Sequence, residues 1–331
     1  MYGVNSGILL VDKPQGITSH DVVARMRRLA GTRKIGHAGT LDPMATGLLV
    51  LGVESATRLL HYLVGLDKEY FATVRLGFGT TTDDAEGEPV PRSSEGDDAV
   101  AALAGAAASG DDAVLREAMR AFTGEIDQVP SSVSAVKIDG KRAYQRVRDG
   151  ETVEITPRRV TVSAYELLAI RPGDEGCLDL DVRVECSSGT YVRALARDLG
   201  ASLGTAAHLT ALRRSRIGRF GVDEAGELDG FDVGARLIAP ADAARRTLPV
   251  IEVTEAEAVD LGHGKRIAAG DARPVASTPA EAGDDADAAA RDRPGADAVA
   301  AIAPGDRLVA IVERKGSQWK VVTGFPQEER A

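Results

Sequence analysis

Apolar positions along this chain change period several times, and each change marks an element. "GILLVDK", from Gly7, is a short continuous apolar run ending at a Pro-Gln-Gly turn, which reads as a buried strand. "TSHDVVARMRRLA" shifts to helical spacing. Thr18 or Ser19 caps this helix, Asp21 sits in its first turn, and Val22, Val23, Met26 and Leu29 form its buried stripe. "GLLVLGV" is a second buried strand. "DKEYFATVRLG" alternates Tyr70, Ala72, Val74 and Leu76 against Phe71, Thr73 and Arg75, as a strand with one inward face does. "AVLREAMRAFTG" is helical. "VTVSAYELLAI" and "CLDLDVRVEC" follow as paired strands, the second alternating through Leu178, Leu180, Val182 and Val184. "SSGTYVRALARDLGASLG" turns into a helix with Val192, Leu195, Leu199 and Leu203 facing inward. Strands and helices mix without regular βαβ alternation. That pattern predicts an α+β domain with a mixed, largely antiparallel sheet and flanking helices over residues 1–247.

Beyond residue 247 the character changes. "LPVIEVTEAEAVDLGHGKRI" and "DRLVAIVERKGSQWKVVTGF" are two β-rich pieces around a loop, which predicts a small barrel or sheet domain over 248–331. Two segments are short of large apolar side chains and rich in Ala, Asp, Gly and Ser. Ser93 to Ala113 and Asp271 to Ala300 therefore read as disordered acidic insertions. They hold 5 and 4 net negative charges, which accounts for nearly all of the −10 of the 331-residue chain. The remainder is close to neutral and carries its base in three clusters. These are Arg25, Arg27, Arg28, Arg33 and Lys34; Lys137, Lys141, Arg142, Arg146 and Arg148; and Arg193, Arg197, Arg213, Arg214, Arg216 and Arg219. Any one cluster alone reads as a solvated face; three beside candidate loops point to phosphates.

Other classes are set aside by what is missing. No apolar run approaches the ~18 residues of a membrane helix. The N-terminus lacks the basic region and long apolar stretch of a signal peptide, so a cytoplasmic location is expected. Cys177 and Cys186 have neither disulfide-framework nor metal-site spacing and read as small buried residues.

The candidate chemistry lies in "KIGHAGTLDPMATGLLVLG", Lys34 to Gly52. Asp-Pro is a common turn pair, so Asp42 taken alone is a turn former. Gly36, Gly39 and Gly47 around it permit close backbone approach, and a buried strand follows as a platform. A carboxylate so held is a candidate nucleophile or base.

These residues carry a family resemblance. "GHAGTLDPMATG" resembles the catalytic motif of the TruB-type tRNA pseudouridine synthases, which isomerise T-loop uridine 55 of tRNA. "LLVDKPQGITS", "DKEY" and "SSGTYVRALARDLG" are similar to three further blocks of that family, in order. "QVPSSVSAVKIDGKRAY" resembles the segment leading into its RNA-gripping insertion. The likeness runs from about Gly7 to Arg219, and the C-terminal region resembles the family's PUA-like RNA-binding domain more loosely. The resemblance implies Asp42 as nucleophile, acting at C1′ or by deprotonation at C2′, and Arg193 as its pairing arginine. It also implies Tyr70 stacked on a flipped base, with a possible hand in proton movement, and Tyr191 and Leu212 touching that base. His37 would help hold the flipped conformation, Lys13 with Pro14 would support the Asp42 loop, and Asp84 lies near a region that would touch RNA. Residues Ser131 to Gly150, with Lys137 and Arg142, would clamp the RNA. The implied partner is the tRNA T-stem-loop, with no guide RNA, no membrane, no metal and no cofactor, and a monomer is expected.

Two rivals stay open at this point. A non-catalytic RNA-folding protein on this scaffold would need the basic clusters but not Asp42, Tyr70 and Arg193 together. A carboxylate glycosidase would need a second acid flanking the bond, and Asp84 is the neighbour worth testing.

Overall fold

The computed structural model describes residues 5–131, 156–270 and 297–326, with two short strands between the first two spans. By contacts the chain falls into two compact units. One comprises Met1–Pro43, Gly47–Leu66 and Arg216–Ala331, and the other Met44–Thr46 and Asp67–Ser215. Neither coincides with the expected division at residue 247.

The first unit begins with strand β1 (Gly7–Lys13), helix α1 (Ser19–Ala30), strand β2 (Ile35–Ala38) and strand β3 (Thr46–Val53). β3 is antiparallel to both β1 and β2. Burying Ile8, Leu9, Leu10 and Val11 of β1 contributes roughly 1.5–3 kcal/mol per side chain, before the cost of ordering them. α1 starts at a full capping box: the Thr18 hydroxyl accepts from the Asp21 N–H and the Asp21 carboxylate from the Thr18 N–H. Val22, Val23 and Met26 are buried as expected, whereas Leu29 is 49% exposed. The apolar stripe passes on to Ala30, one position further round the last turn, and leaves Leu29 in solvent.

The second unit holds strand β4 (Lys68–Leu76), helices α2 (Ser94–Ala108) and α3 (Ala113–Arg120), and strand β5 (Gly124–Gln128). Strands β6 (Lys137–Ile138) and β7 (Lys141–Arg142) pair as a small hairpin, with β8 (Arg158–Pro172) and β9 (Leu178–Cys186) after them. Helix α4 (Val192–Ser202) and strand β10 (Ala207–Ile217) complete it. The strand order is β10-β4-β9-β8-β5, and β4 pairs antiparallel to β9 along its whole length. β8 carries two register shifts against β9.

The segment Ser93 to Ala113 is not disordered. Most of it is α2, capped by the Ser93 hydroxyl on the Gly96 N–H, with Glu95 and Asp97 in the first turn. Its alanines supply the helix propensity that the large apolar residues would otherwise have to supplement, and Val100 anchors it at 1% exposure. Of the second acidic segment, 271–296 lies outside the described residues, and its last three residues belong to a strand.

The chain then returns to the first unit through β11 (Phe220–Gly221), β12 (Gly226–Glu227), α5 (Val233–Arg236), α6 (Pro240–Thr247), β13 (Val250–Glu252), α7 (Glu255–Gly262) and β14 (Ile267–Ala268). Strands β15 (Ala298–Ala303), β16 (Arg307–Lys315) and β17 (Gln318–Gly324) finish it. A separate five-stranded sheet results, in the order β13-β15-β16-β17-β14. One apolar cluster joins Ile8, Leu10, Leu48 and Val50 of β1 and β3 to Ile302, Leu308, Ile311 and Phe325 of this sheet region. Cys177 and Cys186 are both buried and unbridged, and burial pushes the Cys186 thiol up to about 12.

Candidate active site

Asp42 sits on the loop between β2 and β3, half-buried, with its two neighbours pinned from the β1–α1 turn. On the N-terminal side the Ser19 hydroxyl accepts the Leu41 N–H at 2.9 Å and donates to the Leu41 carbonyl at 3.1 Å. On the C-terminal side the Pro43 carbonyl accepts from the Gly16 N–H at 2.9 Å and from the Lys13 ammonium at 3.2 Å. Lys13 is 0% exposed and also donates to the carbonyls of Pro14 and Ile17, at 3.0 and 2.7 Å. A buried ammonium survives only when its donors are taken up, and here three backbone oxygens take them. Gly39 (φ 83°) and Gly47 (φ 100°) make the left-handed turns into and out of the loop that a side chain would strain. His37, in β2 opposite Leu51, is half-buried and meets the His20 ring edge-on at 5.4 Å.

Within the second unit, the loop Thr80–Pro89 is closed by a bridge between its two ends. Asp84, 2% exposed, accepts from the Thr82 hydroxyl at 2.5 Å and the Glu86 N–H at 3.1 Å. Arg193, on the first turn of α4 and 6% exposed, pairs with Asp84 at 3.3 Å and donates to the Thr82 carbonyl at 2.9 Å. One turn along the helix, Arg197 pairs with Asp83 at 3.3 Å and donates to the Val129 carbonyl at 2.9 Å. Two arginines four apart thus grip two consecutive aspartates, as the helical repeat allows. Asp83 accepts this with a left-handed φ of 60°. Tyr191, half-buried before α4, is held by Gln128, whose amide accepts its N–H at 2.8 Å and donates to its carbonyl at 3.1 Å. His208 hydrogen-bonds the Phe78 carbonyl at 2.8 Å, and burial holds its imidazole below the usual histidine pKa.

Tyr70 is 8% exposed on the inward face of β4, opposite Val184, as the alternation of that strand predicts. Leu212, 7% exposed, lies in β10. Asp84, the acid that a glycosidase would need, is committed to Arg193. In the third basic cluster Arg193 and Arg197 face carboxylates and Arg214 is 1% exposed, while Arg213 and Arg216 are half-buried and Arg219 is exposed. Lys137 and Arg142 are backbone register partners in the β6–β7 pair, and the rest of the expected clamp after Ser131 lies outside the described residues. The structure also exposes residues that pattern reading missed as site residues: Ser19, Asp83 and Gln128. Ser19 carried a signal as a possible cap, but its use by a loop 22 residues away carried none.

Solved structures share this architecture. A Cbf5–Nop10–Gar1 complex matches with a TM-score of 0.65 and 26% identity, over 97% of this chain and 84% of that one. An archaeal box H/ACA sRNP Nop10–Cbf5 complex matches at 0.64 and 25%, over 98% and 87%. The fold is that of the pseudouridine synthases.

The sequence narrows the class. The model of the TruB family pseudouridylate synthase (N terminal domain) matches residues 27–192. Curated relatives called tRNA pseudouridine synthase B are 52% identical in Leifsonia xyli subsp. xyli over 328 residues, 99% of each chain, and 52% in an Arthrobacter species over 327 residues, 98% of each. This chain belongs to the TruB family of pseudouridylate synthases and is an isomerase. Among the described residues no helix is long and apolar enough to cross a membrane.

Proposed function

We propose that the protein converts T-loop uridine 55 of tRNA to pseudouridine, with Asp42 as the nucleophile. The observation that carries this reading is the bracketing of Asp42. Ser19 and Lys13 fix the residues on either side, so the carboxylate is presented on an immobilised backbone while staying half accessible. Such preorganisation is what a nucleophile requires and a plain turn does not. The relatives called tRNA pseudouridine synthase B support tRNA as the substrate.

The reacting bond is inaccessible inside a stacked loop, so the uridine is extruded, at a cost of a few kcal/mol that stacking and phosphate contacts offset. Asp42 then adds to C1′ or removes the C2′ proton, and the C1′–N1 bond breaks with its electron pair on the uracil. The base turns and C5 bonds to C1′ as the Asp42 carboxylate leaves that carbon, or as Asp42 returns the proton to C2′; the C5 proton then passes to solvent and N1 gains one. No atom is lost and no electron is exchanged with another molecule. Tyr70 stacks on the extruded base and Arg193 favours the ionised carboxylate, with Tyr191, Leu212 and His37 lining the base's surroundings. The sheet region within 248–331 acts as a PUA-like RNA-binding module, and the segment after Ser131 as the clamp.

The test uses tRNA transcript tritiated at uridine C5. Wild-type protein releases tritium from one T-loop uridine, while Asp42→Asn releases none and still binds the transcript. Release by Asp42→Asn at the wild-type rate would remove the nucleophile assignment. Tight binding without release by either protein would leave a non-catalytic RNA-folding protein.

A further inference from the structure

Arginines in this chain usually face carboxylates. Arg75 meets Asp179, Arg116 meets Asp112, Arg171 meets Asp181 and Arg183 meets Glu69. The C-terminal end of α1 breaks that habit. Arg27, Arg28 and Arg33 are exposed there, and none of them pairs with a carboxylate among the described residues. The acids nearest in the chain are already engaged: Asp21 in the cap of α1, and Glu54 with Lys34 at 3.2 Å and the Thr32 hydroxyl. Asp229 is taken by Arg25. The three arginines line one open crevice of about 570 Å³, together with Ala24, Gly31 and Thr32.

Complementing the helix dipole explains Arg27 and Arg28, which lie in the last turn. It does not explain Arg33, which follows the left-handed Gly31 that ends the helix. Like charges gathered round one concavity repel, and an anion seated among them relieves that repulsion. Guanidinium forks match phosphate oxygens two at a time, which singles out phosphate among anions.

The position selects the kind of phosphate. The opposite end of α1 carries Ser19, which holds Leu41 beside Asp42. Twelve residues at about 1.5 Å each put the crevice about 18 Å along the same helix from the reacting loop. We propose that the Arg27–Arg28–Arg33 crevice is a binding site for the phosphate backbone of the substrate RNA, taking a stem segment outside the reacting loop. This rests on the synthase reading above. The other two basic clusters do not duplicate it: in the third, Arg193 and Arg197 already face carboxylates and Arg214 is buried, and the second belongs to the proposed clamp.

The test neutralises Arg28 and Arg33 and keeps Arg27, whose guanidinium also donates to the Ile35 carbonyl at 2.8 Å. Arg28→Gln/Arg33→Gln is compared with wild type and with Arg116→Gln/Arg120→Gln, which removes the same charge from α3. Binding of full-length tRNA transcript is measured between about 50 and 200 mM salt, where counterion release dominates the affinity. The crevice variant binds about 5–20-fold more weakly, and its slope of log K against log salt falls by about 1–2. Its rate of pseudouridine formation at saturating RNA is unchanged, and the α3 variant behaves as wild type. A slope and KM equal to wild type would overturn the proposal, as would a loss confined to the saturated rate. If wild-type protein formed no pseudouridine, the synthase reading would fall, while the salt slope would still decide the crevice.

Discussion

At the scale of single residues the chain invests its buried charges in positioning. Lys13 and Arg193 are both almost fully enclosed, and each spends its donors on loops that carry acids. A buried ion pair is a weak source of net stability, because desolvation cancels much of the attraction. Breaking one is another matter, since the partner is left charged and dry. Arg193→Met therefore costs about 3–5 kcal/mol in urea denaturation, and Arg193→Met with Asp84→Leu recovers a large part of that loss. Additive losses in this cycle would show that Thr82, and not Asp84, is what Arg193 holds. Asp42 differs from both: it is half accessible, which suits a group that must reach a substrate.

At the scale of elements, α1 works as a strut. Its cap is local and legible in "TSHD", yet the residue after the cap ties the helix to the Asp42 loop. Ser19→Ala leaves the Leu41 N–H and carbonyl without that partner in a buried setting, at a cost of about 1–3 kcal/mol. The expected outcome is a lower melting temperature and a tenfold or greater fall in kcat, about the loss that ~1.4 kcal/mol of misplaced transition-state stabilisation causes, with KM for RNA little changed. A kcat equal to wild type in stopped-time assays would show that Lys13 and the glycine turns hold the loop unaided. α4 is the counterpart strut in the second unit, with Arg193 and Arg197 setting the Asp83–Asp84 loop one helical turn apart.

At the scale of the whole molecule, the C-terminal sheet shares its apolar cluster with β1 and β3. Folding of the two is therefore coupled. A chain ended after Thr247 would bare the faces of Ile8, Leu10, Leu48 and Val50 that Ile302, Ile311 and Phe325 help cover. Losing several such contacts is expected to lower the melting temperature by more than about 10 °C, or to give aggregated protein. Calorimetry on the truncated chain decides this, and a soluble product melting at the full-length temperature would make the C-terminal sheet an independent domain.

Period and spacing alone were enough for the strands at Gly7–Lys13 and Lys68–Leu76, the capped α1 and the glycine-framed Asp42 loop. Those features are written in neighbouring residues, where alternation, capping chemistry and turn preference act within a few positions. Composition misjudged Ser93 to Ala113, because low apolar content was weighed above alanine's preference for the helix and a serine cap. Whether a polar side chain meets water or another residue was decided only by folding. Arg193 and Arg197 look like Arg28 and Arg33 along the chain, yet the first two turn to Asp84 and Asp83 across more than a hundred residues and the other two stay in solvent. Charge pairing depends on distance in space, and no local pattern encodes which distant carboxylate arrives.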